Sequence, residues 1–205
     1  MRKLILGLSC AAAMGAAGSA GAATTFFNDF ESGAYSGSGY VVLGSYEGWT
    51  ASAGPGIEVQ YGNVAGQAYS GTHLVELDSN ANSAMSRIID AGSYVLTFQY
   101  SDRPNVAASS NGIDVLLNGL SILSVTGGNG AGGTVWKPKS VSFVAGAGDT
   151  LTFAALGTSD SLGGYLDDIN LSAVPEPESW AMMLLGLGVV GTAVRRSRKV
   201  TTQFA

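Results

Sequence analysis

The sequence predicts an all-β fold, an antiparallel jelly-roll sandwich, followed by a single short C-terminal transmembrane helix. Three observations predict it. Short segments that alternate apolar and polar residues recur at spacings of roughly 8–12 residues, the rhythm of sandwiches and jelly rolls. Glycine separates them, 30 of 205 residues, and only 12% of the chain is charged, where average usage is roughly 7% glycine and about 25% charge. Residues 24–174 contain no stretch of 3.6-residue periodicity. High hydrophobicity with little charge excludes a disordered chain, and the composition excludes a coiled coil.

The strands follow in order. Residues 56–61 alternate, and so does the stretch from His73 to Leu77, which puts His73 on a strand surface. In residues 93–100, Tyr94, Leu96, Phe98 and Tyr100 share one face. Ile113, Val115 and Leu117 repeat at period two, and Ile122, Leu123 and Val125 follow after Asn118-Gly119. An Asn-Gly between two apolar runs predicts a two-residue hairpin turn. Further runs lie at 141–143, 151–153 and 165–171. The glycine-rich segments 33–39 and 127–133 lack the Lys-Ser/Thr and the helix of a phosphate loop, and read as flexible loops.

The first 23 residues read as a signal peptide. Arg2 and Lys3 precede an apolar, small-residue run over 4–17, and Ala20 and Ala22 give the A-x-A spacing for cleavage after Ala22 or Ala23. Cleavage removes Cys10, the only cysteine. The mature chain then has no disulfide, thiol nucleophile or cysteine-based zinc site. His73 is the only histidine, which excludes multi-histidine metal sites and disfavours a Ser-His-Asp triad.

Between Thr24 and Val174 stand thirteen Asp or Glu against Arg87, Arg103, Lys137 and Lys139, a balance of −9. An acidic body without a basic stripe argues against nucleic acid as a partner. The acids at the two ends of the domain carry more information: Asp29 and Glu31 near its start, Asp167 and Asp168 near its end. Strict alternation puts Asp167 on the face of Tyr165, Ile169 and Leu171, the expected core face. A carboxylate there needs a partner, and Ca²⁺ takes carboxylate and carbonyl oxygens. Alternatively, Asp167 begins its strand exposed and caps a turn.

The order Asn28-x-x-Glu31, Gly48-Trp49, Ile57-x-Val59, Gly71-Thr72, Gly92-Ser93-Tyr94-x-Leu96-x-Phe98 and Asp167-Asp168-Ile169 resembles carbohydrate-binding modules with the galactose-binding-like jelly roll. The resemblance implies a structural calcium between first and last strands. Glu31 and Asp167 would be its ligands, with Asp29 and the carbonyls near Gly71 and Thr72 as further candidates. It also implies sugar binding by an aromatic platform with polar neighbours. Trp136, Tyr100, Arg103 and Asn111 are the candidates, although Trp49 and Trp136 are both expected to pack in the core.

After Ala173 the character changes. Pro175-Glu176-Pro177 is followed by Trp180, an apolar run over 180–194 and the cluster Arg195-Arg196-Ser197-Arg198-Lys199. Fifteen residues make a helix of about 22 Å, short for a span. Three glycines and terminal arginines suit a short membrane span with snorkelling ends better than a core helix. Residues 174–200 are similar to the PEP-CTERM sorting signal. That resemblance implies an exosortase as processing partner, inner-membrane anchoring first, and release to the surface or matrix of a Gram-negative bacterium. Pro175, Glu176, Pro177, Trp180, Arg195 and Arg196 would be recognition elements. The domain plan is thus leader 1–23, sandwich 24–173 and sorting signal 174–200. Two functional classes follow: a non-enzymatic surface or matrix protein that binds polysaccharide, or a small glycoside hydrolase or lyase. No carboxylate pair or basic cluster in the sequence identifies the second.

Overall fold

The computed structural model describes residues 22–33, 37–62, 64–175 and 177–197. The expected signal peptide lies outside the described residues, apart from Ala22 and Ala23. Thirteen strands and one helix follow in chain order: β1 (Phe26–Asn28), β2 (Gly39–Leu43), β3 (Ser45–Tyr46), β4 (Trp49–Ala53), β5 (Ile57–Tyr61), β6 (His73–Glu76), β7 (Ala84–Ile89), β8 (Gly92–Ser101), β9 (Gly112–Leu117), β10 (Leu120–Thr126), β11 (Lys137–Ala145), β12 (Asp149–Ala155), β13 (Tyr165–Ala173) and α1 (Pro177–Ser197). The large sheet runs β11-β8-β13-β6-β5-β2 with β1 also on β13; the small sheet runs β10-β9-β12-β7-β4-β3. All pairings are antiparallel. This is the predicted two-sheet sandwich.

Alternation explains the core. Tyr94, Leu96, Phe98 and Tyr100 face inward from β8 and are buried. They meet Leu151 and Phe153 of β12 and Ile113 and Val115 of β9. Edge-to-face rings cross between the sheets from Phe26 to Trp49 at 5.6 Å and from Phe98 to Phe153 at 5.0 Å, and Trp49 meets Phe153 at 5.5 Å within the small sheet, a packing that adds to area burial. The Trp49 indole N–H donates to Asn28 Oδ1 at 3.1 Å. Asn118 and Gly119 both take positive φ between β9 and β10, as the two-residue turn requires.

Two expectations about faces and loops need correction. A bulge interrupts β13 between Asp167 and Asn170, with Asp168 at φ 46°. The extra residue shifts the alternation. Tyr165 and Asp167 therefore point to the outer side of the large sheet, while Ile169 and Leu171 point to the core. Segment 127–133 is expected to be a flexible loop, yet several of its residues are held by hydrogen bonds. Asn111 Nδ2 donates to the Gly128 carbonyl at 3.0 Å, and Gly128 N donates to Asp102 Oδ1 at 2.8 Å. A Cβ at Gly127 would lie 2.3 Å from the Asn111 backbone, so glycine there permits close packing rather than mobility.

The 21-residue α1 lies where the membrane helix is expected, yet among the described residues no helix is long and apolar enough to cross a membrane. Gly186, Gly188, Gly191 and Thr192 dilute the apolar run, and Arg195 closes it. The apolar side chains from Met183 to Val190 stand exposed.

Candidate functional site

Past its bulge, β13 changes neighbour: Tyr165 and Leu166 pair with β6, whereas Ile169, Asn170 and Leu171 pair with β1. The end of β1 and the loop entering β6 therefore meet beside Asp167. Asp167 Oδ2 accepts from Tyr69 N at 2.8 Å and Ser70 N at 3.2 Å, and Oδ1 accepts from Asp168 N at 2.7 Å. Glu31 Oε1 accepts from Thr72 N and His73 N, both at 2.6 Å. Its Oε2 lies 3.1 Å from Thr72 Oγ1 and 2.9 Å from His73 Nδ1. One loop, residues 69–73, thus joins the first and last strands through two carboxylates. Gly71 is required there: its φ is +55°, and a Cβ would lie 2.3 Å from the Glu31 carboxyl.

His73 is buried rather than on a strand surface, against Tyr61 at 4.9 Å and Glu31. Burial pushes the Asp167 carboxyl up to about 7 even though three peptide N–H groups oppose it. Burial also resists ionisation of Glu31, but the hydrogen bonds from His73 and Thr72 outweigh it and hold the group below its usual value.

The sequence brought Glu31, Asp167 and Asp29 forward as calcium ligands. The charge of this corner suits a hard cation. Asp168 joins them by accepting from Ser70 Oγ at 2.6 Å, and among the described residues no Lys or Arg forms a salt bridge with any of the four. Their arrangement differs from a cage. No three His, Cys, Asp or Glu among the described residues could hold a metal ion together, and Thr72 presents its N–H to Glu31 rather than its carbonyl. Asp29 Oδ1 accepts from Glu31 N at 3.3 Å, a local turn.

On the outer side of the large sheet, Phe27, Asn170, Thr97 and Ser140 stand opposite one another on β1, β13, β8 and β11. Gln99 and Pro138 occupy the next row, beside Asp168. Together with Tyr69 and Lys139 they line a cleft of about 460 Å³, the size of a small-ligand site. Phe27 is 56% and Tyr69 50% exposed. Trp136 supports Tyr69 edge-on at 6.1 Å, and its indole N–H donates to the Gln67 carbonyl at 3.1 Å. Trp136 is half-buried against this face and outside the core, unlike the expectation for it. Gln99 Oε1 is buried without a hydrogen-bond partner among the described residues. A polar floor between aromatic walls suits a ligand with apolar C–H faces and many hydroxyls.

The other sugar-site candidates are corrected by their burial. Tyr100 lies in the core, its hydroxyl donating to Asp102 Oδ1 at 2.9 Å. Asn111 is buried and clamps two loops, accepting from Arg103 N at 2.8 Å and donating to the carbonyls of Val106, Ala107 and Gly128. Arg103 is turned down onto Glu76 and over the Tyr165 ring at 5.7 Å. Period-two counting could have found Thr97, Gln99 and Asn170 as an outward polar set. Phe27 and Tyr69 sit on a three-residue strand and a loop, where no periodic signal exists.

Beneath Arg103 lies a buried polar row. Tyr165, Glu76 and Glu58 are register neighbours on β13, β6 and β5. Gln60 Nε2 donates to Glu58 Oε1 at 2.9 Å and to Glu76 Oε2 at 2.6 Å. Burial raises the Glu76 carboxyl to about 8; Arg103 pulls it down by less, and the nearby Glu58 charge adds to the rise. A carboxyl raised on folding stabilises the fold below its unfolded value, near 4.5, and loses that contribution as pH climbs through the folded value. The melting temperature should therefore fall between pH 5 and pH 9, and Glu76→Gln should flatten that decline. Thermal melts across this range check it; an equally steep decline in the variant would assign it to other groups.

The two-sheet β-sandwich is a fold shared with several solved structures. It is similar to the K2 cleaved adhesin domain of Lys-gingipain, at 16% identity and a TM-score of 0.54, covering 73% of this chain and 98% of that one. A family 35 carbohydrate-binding module from Paenibacillus barcinonensis is similar at 23% identity over 62% of this chain and 94% of that one, with a TM-score of 0.41. The CBM22-2 xylan-binding domain of Xyn10C from the same organism is similar at 14% identity over 73% and 99%, with a TM-score of 0.47. No curated protein sequence matches the chain. Residues 173–199 match the PEP-CTERM protein-sorting motif. The protein therefore carries a PEP-CTERM tail behind its β-sandwich, and that motif implies export, membrane anchoring before processing, and processing by an exosortase in a Gram-negative bacterium. Of the sorting residues, Pro175 follows β13, Pro177, Trp180, Arg195 and Arg196 fall within α1, and Glu176 lies outside the described residues.

Proposed function

We propose that this is a non-enzymatic surface or matrix protein whose sandwich binds polysaccharide. The observation that carries this reading is the cleft on the large sheet, with Phe27 and Tyr69 as walls and Thr97, Gln99, Asn170 and Ser140 as floor. Sugar rings stack on exposed aromatic faces while hydroxyls pair with amides and side-chain oxygens. The leader is removed, the tail helix holds the precursor in the inner membrane, and an exosortase acts near Pro175-Glu176-Pro177. Calcium is part of this proposal: Glu31 and Asp167, with Asp29 beside them, would hold it once the corner rearranges, because peptide N–H groups occupy both carboxylates in the present arrangement.

An enzymatic reading has one observation in its favour: Glu58 and Glu76 accept from the same Gln60 amide nitrogen. Both carboxyls are buried, however, and Arg103 lies over Glu76. A sugar ring has no access to them in this arrangement, so binding is the better account. A glycan screen of the exported protein, with calcium and with chelator, tests it; failure to bind any polysaccharide in both conditions would overturn the binding function. The tail is tested separately. Mass spectrometry of the extracellular form from its host should find a chain lacking α1, and an intact C-terminus there would reject processing.

A further inference from the structure

Both ends of the sandwich emerge at one pole. Thr24 Oγ1 donates to Asp90 Oδ2 at 2.7 Å, and Thr24 N donates to the Tyr94 hydroxyl at 3.0 Å. Val174 N donates to the Ser93 carbonyl at 2.8 Å. The chain is therefore fixed to the sheet as far as Val174, and α1 begins at Pro177. Three residues span at most about 11 Å even when fully extended. Whatever holds the start of α1 also lies within that distance of this pole.

The pole exposes large aliphatic side chains. Ile88 at the end of β7 is 70% exposed, Leu120 after the β9–β10 turn 75%, and Val144 at the end of β11 74%. Val174 joins them beside Ser93, whose other neighbour is Val144. These residues come from different strands of both sheets; Ile88 and Val144 alternate with the core residues Ile89 and Ala145, so each stands on the outer face of its own sheet at this pole. The charged side chains at the turns here, Asp90 and Asp149, are acidic, which gives an anionic lipid surface no electrostatic pull. An attachment here must come from the tether and from apolar burial.

We propose that this pole rests on the lipid surface while the tail is attached, with Ile88, Leu120, Val144 and Val174 seated at the interface and the loops 102–111 and 127–136 directed away from it. The proposal rests on membrane anchoring of the precursor by α1. It commits to lipid as the occupant because the short connection enforces proximity to the medium around the helix, with or without a processing enzyme present.

The test uses the chain freed of its leader, with the tail attached, in vesicles of zwitterionic lipid and of zwitterionic lipid mixed with anionic lipid. Cys10, the only native cysteine, leaves with the leader, and single environment-sensitive labels are placed through Ile88→Cys, Leu120→Cys and Val144→Cys. Val190→Cys reports on α1, and Gly132→Cys, which has open space around it, reports on the opposite pole. The expected result is lipid quenching at 88, 120, 144 and 190 in both vesicle types, with none at 132. Insertion of about twenty Gly/Ser residues between Val174 and Pro175, a flexible spacer, should free the three pole labels and leave 190 quenched. Quenching at 190 with water-exposed pole labels would overturn the proposal alone; a water-exposed 190 would overturn the anchoring beneath it as well. Shielding of the pole only when an exosortase is present would assign the surface to that protein instead, and shielding that survives the insertion would reject the tether as its cause.

Discussion

Calcium should raise the melting temperature of the exported protein by roughly 5–10 °C over chelator, and Asp167→Asn should erase the difference. A ligand that binds only the native state stabilises it by about 2.7 kcal/mol at a hundredfold excess over Kd, and for a domain of this size each kcal/mol moves the midpoint by about 2–4 °C. The effect is large because loop 69–73 joins the first and last strands through Glu31 and Asp167, and a chain with a single cysteine has no internal disulfide to share that task. Asparagine keeps a carbonyl acceptor for the Tyr69 and Ser70 N–H groups and removes the buried charge, a gain that offsets the acceptor lost to Asp168 N. The melting point in chelator should therefore change little. Glu31→Gln should behave alike. Identical melting curves in calcium and chelator would leave the peptide N–H groups as the closure of this corner and remove the metal from it.

The second large effect concerns the aromatic walls. Tyr69→Ala should weaken polysaccharide retention at least tenfold, which corresponds to about 1.4 kcal/mol, within the range that exposed aromatic anchors contribute at binding surfaces. Phe27→Ala should act on the opposite wall to a similar extent. Trp136→Ala should act through Tyr69, which it holds edge-on, and so lower affinity by less while leaving the fold intact. Affinity electrophoresis through gels containing the polysaccharide measures all three. The half-exposed positions of Phe27 and Tyr69 make their removal nearly neutral for stability. Unchanged migration of both single variants would take the site away from this face.

Strand β8 shows how far sequence alone reaches. Its alternation of Tyr94, Leu96, Phe98 and Tyr100 with polar residues places four rings and chains in the core without any knowledge of partners. The Asn118-Gly119 turn is equally local, because only its own two positive φ angles are needed. Strands β1 to β4 and β7 carry no clear signal of their own: β1 is three residues long, and β4 reads Trp-Thr-Ala-Ser-Ala, too weakly apolar to show a period. The sorting tail was legible because its recognition depends on composition and order along the chain.

Asp167 marks the limit. Its identity as an unusual acid near the last strand was visible, but its face was not, because a single bulge reverses the alternation on which the inference depended. Tyr100 failed as a sugar platform for the converse reason: the same alternation that predicted its strand buried it. The sandwich class, the acidic body and the tail are all properties of local pattern and can be read along the chain. Tertiary structure decided that Glu31 and Asp167 share one loop, that Phe27 and Tyr69 flank the same cleft, and that four exposed aliphatic side chains lie at the end of the sandwich from which the tail leaves. The hydrogen bonds that tie loop 69–73 to Glu31 and to Asp167 reach across 41 and 98 positions of the chain, and only strand order and register bring such distant residues into contact.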